Sequence, residues 1–233
     1  MPRVASFHLV REPWWRAPVA LARLGSDRLR VRGTPGLRFA RLLGTGRGSS
    51  TAPGADPART ALFGVWESAG ALAAFEAGWF GARVARARRR GGEAYTVRLA
   101  LLSGHGRWAG RDVLADLARG EPGGPVAVLT RARVHLGAWR RFRAVQQVIA
   151  DEVATAAGLL AVVAIGEAPV GLQATFSLWA NPAASAAFAY GRPAHEKVVR
   201  RTRDEHWYGE ELFVRFAPIG SSGSWDGRDP LHG

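Results

Sequence analysis

The 233-residue sequence contains no cysteine. That absence excludes disulfides, thiolate nucleophiles, zinc–thiolate centres and a thiolate-ligated haem, and it leaves cysteine usage silent about redox compartment. Long apolar runs are missing too: none approaches the roughly 20 residues that a membrane-spanning helix needs. Met1–Val10 is short for a secretory segment and is followed at once by Arg11-Glu12-Pro13. A soluble, cytoplasmic protein is the expectation, with room for peripheral membrane association. Lysine is almost absent as well. Lys197 is the single one, so 31 of the 32 basic residues are arginine, against 19 acidic residues and a net charge of +13. This skew, beside abundant alanine and glycine, reads as GC-rich coding bias and discounts a nucleic-acid reading of the charge; no specific nucleic-acid partner is expected. Attraction to an anionic membrane surface explains the charge equally well.

Several motifs are absent or incomplete. Gly44-Thr45-Gly46-Arg47-Gly48 mimics a phosphate loop, but the following SSTAPGADP cannot start the helix whose N-terminus would hold a phosphate. No flavin or nicotinamide motif, paired-histidine metal spacing, Ser-His-Asp signature or acidic cluster stands out. What the chain does have is a sizeable apolar fraction, 47% hydrophobic and 9% aromatic, enough for a folded core.

The pattern of elements occurs twice. Strands are expected at Arg3–Val10, Leu37–Leu43, Thr60–Trp66 and Tyr95–Leu102. Helices fall at Trp14–Leu24, from a Ser68 N-cap to Ala77 with Gly78 closing it, and at Phe80–Arg90. The second copy has strands at Val126–Val134, Leu159–Gly166, Gln173–Trp179 and Glu211–Ala217, and helices at Trp139–Ala156, Pro182–Tyr190 and Pro193–His206. Phe63-Gly64-Val65-Trp66 aligns with Phe176-Ser177-Leu178-Trp179, Ala73-Ala74-Phe75 with Ala186-Ala187-Phe188, and Trp108-Ala109-Gly110-Arg111-Asp112 with Trp225-Asp226-Gly227-Arg228-Asp229. Each copy reads βαββαβ. The expected fold is α+β, two ferredoxin-like halves packed sheet to sheet as an intrachain dimeric α/β-barrel. Residues 1–112 form the first half, 113–125 a polar, Pro/Gly-rich linker, and 126–233 the second half.

On the expected Pro193–His206 helix, His195, Val198, Val199, Thr202 and His206 share one face, apart from Glu196, Lys197, Arg200, Arg201 and Arg203. In the repeat, His195 falls opposite Ala82, so the first half keeps the scaffold without the histidine. The residues alone leave His195 open between a core or surface histidine and a ligand. His8 and His135, on the first strand of each half, read as core or sheet-face residues. His105 reads as a surface-loop histidine with a distal role as the alternative, and Trp108 and Trp225 as anchors of the loop after each last strand.

The segments IGEAP (Ile165–Pro169), QATFSLW (Gln173–Trp179), AFAYGRPAH (Ala187–His195), WYGEELFVRF (Trp207–Phe216), GRWAGRD (Gly106–Asp112) and SWDGRDPL (Ser224–Leu231) together resemble the haem-dependent carotenoid oxygenases of the spheroidene monooxygenase kind. That pattern has proline directly before the histidine, whereas Ala194 here separates Pro193 from His195. The resemblance implies haem iron with His195 as its axial ligand and O2 as co-substrate. It also implies a lipophilic polyene substrate and an external electron donor. Arg192, nearest in sequence to the ligand helix, is the candidate for a propionate because a guanidinium pairs bidentately with carboxylates. Two other readings stay open: a haem-binding module without oxygenase activity, and a cofactor-free dimeric α/β-barrel protein. A homo-oligomer is compatible with all three.

Overall fold

In β1 (Val4–Arg11) seven successive residues are buried, which requires cover on both faces of the strand. Its inward set, Ala5, Phe7 and Leu9, joins one hydrophobic cluster, while Val4 and Val10 on the other face join a second. This two-layer demand organises the whole chain. The computed structural model describes residues 2–47, 50–168, 170–190, 202 and 204–233. The remaining strands are β2 (Leu37–Arg47), β3 (Ser50–Trp66), β4 (Glu93–Gly106), β5 (Val126–Val134), β6 (Leu159–Gly166), β7 (Leu172–Trp179) and β8 (Tyr208–Gly223). The helices are α1 (Ala17–Arg32), α2 (Ala69–Ala77), α3 (Trp79–Arg89), α4 (Trp139–Ala154) and α5 (Pro182–Tyr190).

The eight strands close into an antiparallel barrel in the order β1-β3-β2-β6-β7-β5-β8-β4. Each half contributes the ferredoxin-like order, β4-β1-β3-β2 and β8-β5-β7-β6, so the fold is α+β with tandem repeats forming an intrachain dimeric α/β-barrel. The halves pack face to face across the barrel interior and also join edge to edge at two seams. A long seam pairs β4 with β8 from Tyr95↔Gly223 to Gly106↔Leu212, and a short one pairs Gly44↔Gly166 and Thr45↔Ile165. Closure satisfies strand edges that two separate sheets would leave open.

Aromatic rings fill the barrel. Phe7 and Phe176, from equivalent inner faces of the two halves, stack with centroids 3.8 Å apart. Trp108 packs on Phe39 and Phe63, and Trp225 on Tyr95. Both indoles come from tight turns. Ala109 and Gly110 have φ of 53° and 73°, and Asp226 and Gly227 have 52° and 89°, so each pair of central residues is left-handed, as in a type I′ turn. The repeated tryptophan therefore anchors a turn into the core, as expected.

Helix starts follow their caps: Ser68 Oγ accepts from the Ala71 amide at 3.2 Å and Asn181 Oδ1 from the Ala184 amide at 2.8 Å. Two elements outrun the sequence pattern. Helix α1 passes through Gly25-Ser26 because Asp27 and Val31 beyond them are buried, Asp27 paired with Arg83 of α3 at 2.9 Å. The β2–β3 hairpin extends across the Gly- and Pro-containing stretch with register shifts at Gly44/Thr45 and Gly46/Arg47. Gly44–Arg47 is thus strand, which disposes of any phosphate cradle there.

His8 lies in the outer layer of the first half, fully buried, and it is a core histidine. Its ring nitrogens sit 2.8 Å from Ser6 Oγ and 3.0 Å from Thr96 Oγ1, and its edge meets Phe80. Burial, helped by the Arg98 charge, pushes its pKa from 6.5 down to about 3. The unfolded chain therefore binds this proton first. The stability due to neutral His8 is complete above about pH 6.5 and declines by about 1.4 kcal/mol per pH unit as the pH falls toward 3. Urea unfolding at pH 6.5 and 4.5 should cost the wild type about 2–3 kcal/mol more than His8→Gln. Equal losses in the two proteins would refute the assignment.

Candidate functional site

The outer layer of the first half is solid. Phe75 stacks on Phe80 at 4.7 Å and packs on Trp66 at 4.6 Å, with Val10, Leu62 and Leu72 filling the space between helices and sheet. The matching registers Val4↔Trp66 and Val126↔Trp179 align the second half residue by residue. Trp66 is matched by Trp179 and Phe75 by Phe188, whose rings remain packed at 5.4 Å. The indole partner survives by exchange: Trp66 Nε1 donates to Ser6 Oγ at 2.8 Å, whereas Trp179 Nε1 donates to Ser177 Oγ at 2.9 Å. The bulk does not survive. His8 becomes Thr130, Val10 becomes Ala132 and Leu62 becomes Thr175.

Where those side chains shrink, a cavity of about 500 Å³ opens between the sheet and the helices of the second half. Thr130, Ala132, Thr175 and Ser177 form its floor. Phe142, Val145, Ile149 and Val153 of α4 and Phe188 and Tyr190 of α5 wall it, and Thr202, Trp207 and Tyr208 close one end. The lining is mostly apolar with a few polar groups, the usual make-up of a small-molecule site. Burial pushes the Tyr208 phenol up to about 12, against a hydrogen bond to Thr202 that lowers it, so it is un-ionised at neutral pH. Arg215 projects from the outer face of β8 into the same space.

At the barrel end beside the cavity lies a buried ionic network. The Arg131 side chain is only 2% exposed; its Nε and Nη2 donate to Glu167 Oε1 at 3.2 and 3.1 Å, and its Nη1 donates to Glu210. Glu167 also accepts from Trp108 Nε1 and from Arg41 Nε, each at 2.8 Å. Burial pushes the Glu210 carboxyl up, but the amides of Gly110 and Ala109 and the Arg131 guanidinium together hold it below the ordinary carboxylate range. Glu167, the glutamate of IGEAP, thus ties β6, β5, β2 and the Trp108 turn together. Glu167→Ala leaves Arg131 Nε and Nη2 and the Trp108 indole N–H without partners, and is expected to cost about 3–5 kcal/mol in urea unfolding. A loss under about 1 kcal/mol would show that this network does not hold the fold.

Arg192 and His195 lie outside the described residues, as does most of the expected Pro193–His206 helix. The chain on either side of them is described: Tyr190 and Thr202 both line the cavity. His206 is corrected. It has a φ of 48°, is exposed, and precedes Trp207, whose amide bonds back to Thr202 O at 3.0 Å, so it ends the helical turn rather than lying on an apolar face. His105 sits on strand β4, not in a loop; it is exposed at the cavity edge with its ring 5.9 Å from Phe213. His135 follows β5 and is exposed, its ring against Gly209. Arg215 and the Arg131–Glu167 pair were not singled out from sequence. A wider depression of about 670 Å³ near Arg11, Glu93 and Asp226 mixes polar and apolar lining, and these charges already pair with one another and with Arg59. Among the described residues there is no cluster of three metal-ligating side chains, and no helix is long and apolar enough to cross a membrane.

A closed barrel of two ferredoxin-like repeats, solid in one outer layer and hollow in the other, defines a dimeric α/β-barrel protein with one ligand cavity among the described residues. No protein-family model matches the chain. A crystal structure of aldoxime dehydratase shares its fold with a TM-score of 0.65 at 9% identity, covering 99% of this chain and 86% of that one. A second, aldoxime dehydratase in complex with butyraldoxime, gives 0.63 at 10%, covering 99% and 84%. Spheroidene monooxygenase of Rhodobacter capsulatus is 30% identical over 223 residues, 92% of this chain and 89% of that protein. The Rubrivivax gelatinosus protein of the same name is 36% identical over 199 residues, 84% and 74%. The chain belongs to the spheroidene monooxygenase family of oxidoreductases.

Proposed function

We propose that this protein is a haem-dependent monooxygenase that hydroxylates an apolar polyene of the carotenoid class, with repeated hydroxylation at one carbon giving a ketone. The observation that carries the reading is the hollowed outer layer of the second half, in a chain whose relatives are named spheroidene monooxygenase. The lining fits a flat apolar macrocycle with acidic substituents: aliphatic and aromatic walls and an inward guanidinium. On this reading His195 is the axial ligand and Arg192 pairs with a propionate. In support, the chain enters and leaves their segment at Tyr190 and Thr202, both on the cavity wall.

Bound there, haem supplies oxygen activation that no side chain of this sequence provides, with O2 as co-substrate and electrons from an external donor. The protein's own residues bind and orient. Phe142, Val145, Ile149, Val153 and Phe188 exclude water and offer apolar contact to a hydrocarbon. Thr130 and Thr175, smaller than the His8 and Leu62 they match, keep the floor low. Incubating haem-loaded protein with a carotenoid, a reductant and ¹⁸O2 should yield hydroxylated and ketone products carrying the label. Haem uptake with no oxygenated product would favour a haem-binding module. A protein that stays colourless with ample haem would favour a cofactor-free barrel protein.

A further inference from the structure

In the first repeat, Arg98 on the outer face of β4 forms an ion pair with Glu76 of α2. The registers Ala5↔Leu99 and Ala127↔Phe216 make Arg215 the counterpart of Arg98. The aligned helices, Ala73-Ala74-Phe75-Glu76 and Ala186-Ala187-Phe188-Ala189, make Ala189 the counterpart of Glu76. The second half has therefore kept the arginine and lost its carboxylate. Arg215 Nε and Nη2 are buried without a hydrogen-bond partner among the described residues. The guanidinium lies over the Phe213 ring at 5.2 Å and over Tyr190 at 6.0 Å, which fixes its plane. Glu211, the nearest carboxylate on the same strand face, is four residues along β8, about 13 Å at roughly 3.3 Å per residue.

A guanidinium buried with empty N–H groups costs free energy unless something pairs with it. Here the vacant partner position opens on a cavity. We infer that Arg215 is the carboxylate anchor of this cavity, its Nε–H and Nη2–H edge receiving two oxygens of the occupant where Glu76 serves Arg98 in the first half. On the function proposed above, on which this inference rests, that carboxylate is a haem propionate, since a polyene hydrocarbon has none. Side-on pairing through Nε and Nη2 is bidentate geometry that lysine cannot reproduce.

The test titrates haemin and haemin dimethyl ester into wild type, Arg215→Ala, Ala189→Glu and Ala189→Gln, read by absorbance, with thermal unfolding of the ligand-free proteins alongside. Wild type should prefer haemin over the ester by at least about tenfold, the worth of one charge-assisted hydrogen bond. Arg215→Ala should lose about tenfold of that preference, keeping only what the Arg192 pairing gives, with little change in ester affinity. Ala189→Glu should lose as much while raising the unfolding temperature, because it rebuilds the first half's ion pair; the uncharged Ala189→Gln should keep all of it. Equal affinity of wild type for haemin and ester, or an undiminished preference in Arg215→Ala and Ala189→Glu, overturns the anchor and leaves the haem reading standing. Wild type that takes up neither compound overturns both.

Discussion

His195→Ala protein is expected to fold like the wild type, to lose the imidazole-ligated haem spectrum, and to have no measurable turnover. The motivation is threefold: the family-like AFAYGRPAH segment, the alanine at the equivalent place in the first repeat, and flanking residues that line the cavity on both sides. Loss of a group that only supports a metal ligand already costs 10–100-fold, so loss of the ligand itself should exceed about 100-fold in turnover. Folding should survive because, on the helix expected from the sequence at Pro193–His206, alanine is favoured over histidine. Added imidazole should restore part of the spectrum by occupying the vacated position. His105→Ala and His206→Ala are the controls and should keep haem, the first being exposed at the cavity edge and the second in a left-handed turn. An unchanged spectrum and rate in His195→Ala would sink the assignment of this residue as ligand.

The second large effect comes from undoing the hollowing. Ala132→Val combined with Thr175→Leu restores the residues that the first half carries as Val10 and Leu62. Each added methylene that becomes buried contributes about 0.8 kcal/mol, so the double variant should gain roughly 2 kcal/mol in stability. Haemin affinity and turnover should fall by more than about tenfold, because the filled floor excludes the ligand rather than altering its chemistry. Stability and binding are thus predicted to move in opposite directions. A double variant that binds haemin as well as wild type would mean that the cavity is not the site.

Much of this was legible in the sequence, for identifiable reasons. The duplication showed in Phe63/Phe176, Trp66/Trp179 and the two Trp-x-Gly-Arg-Asp turns, since fully buried rings and left-handed turns tolerate few residue types. The N-cap at Ser68 was legible because capping is local. The full lengths of α1 and of the β2–β3 hairpin were not, because burial of Asp27 and Val31 and the bulges around Gly44–Arg47 are tertiary effects that override local stop signals. The edge-to-edge seams were invisible for the same reason. Arg215 could have been found. Aligning Val97-Arg98-Leu99-Ala100 with Val214-Arg215-Phe216-Ala217, and Glu76 with Ala189, exposes a conserved pattern within the chain from which one charge has been removed. Glu167 and Arg131 could not, because their partnership across the barrel end exists only once the strands are in register.

On the proposed function, the hollow outer layer of the second half is a haem site. Titrating purified wild-type protein with haemin and following the absorption spectrum tests it most directly. Saturation is expected at one haemin per chain, with the spectrum of an imidazole-ligated iron and no second stoichiometric site. Absence of any saturable spectral change, with the protein folded, would contradict it.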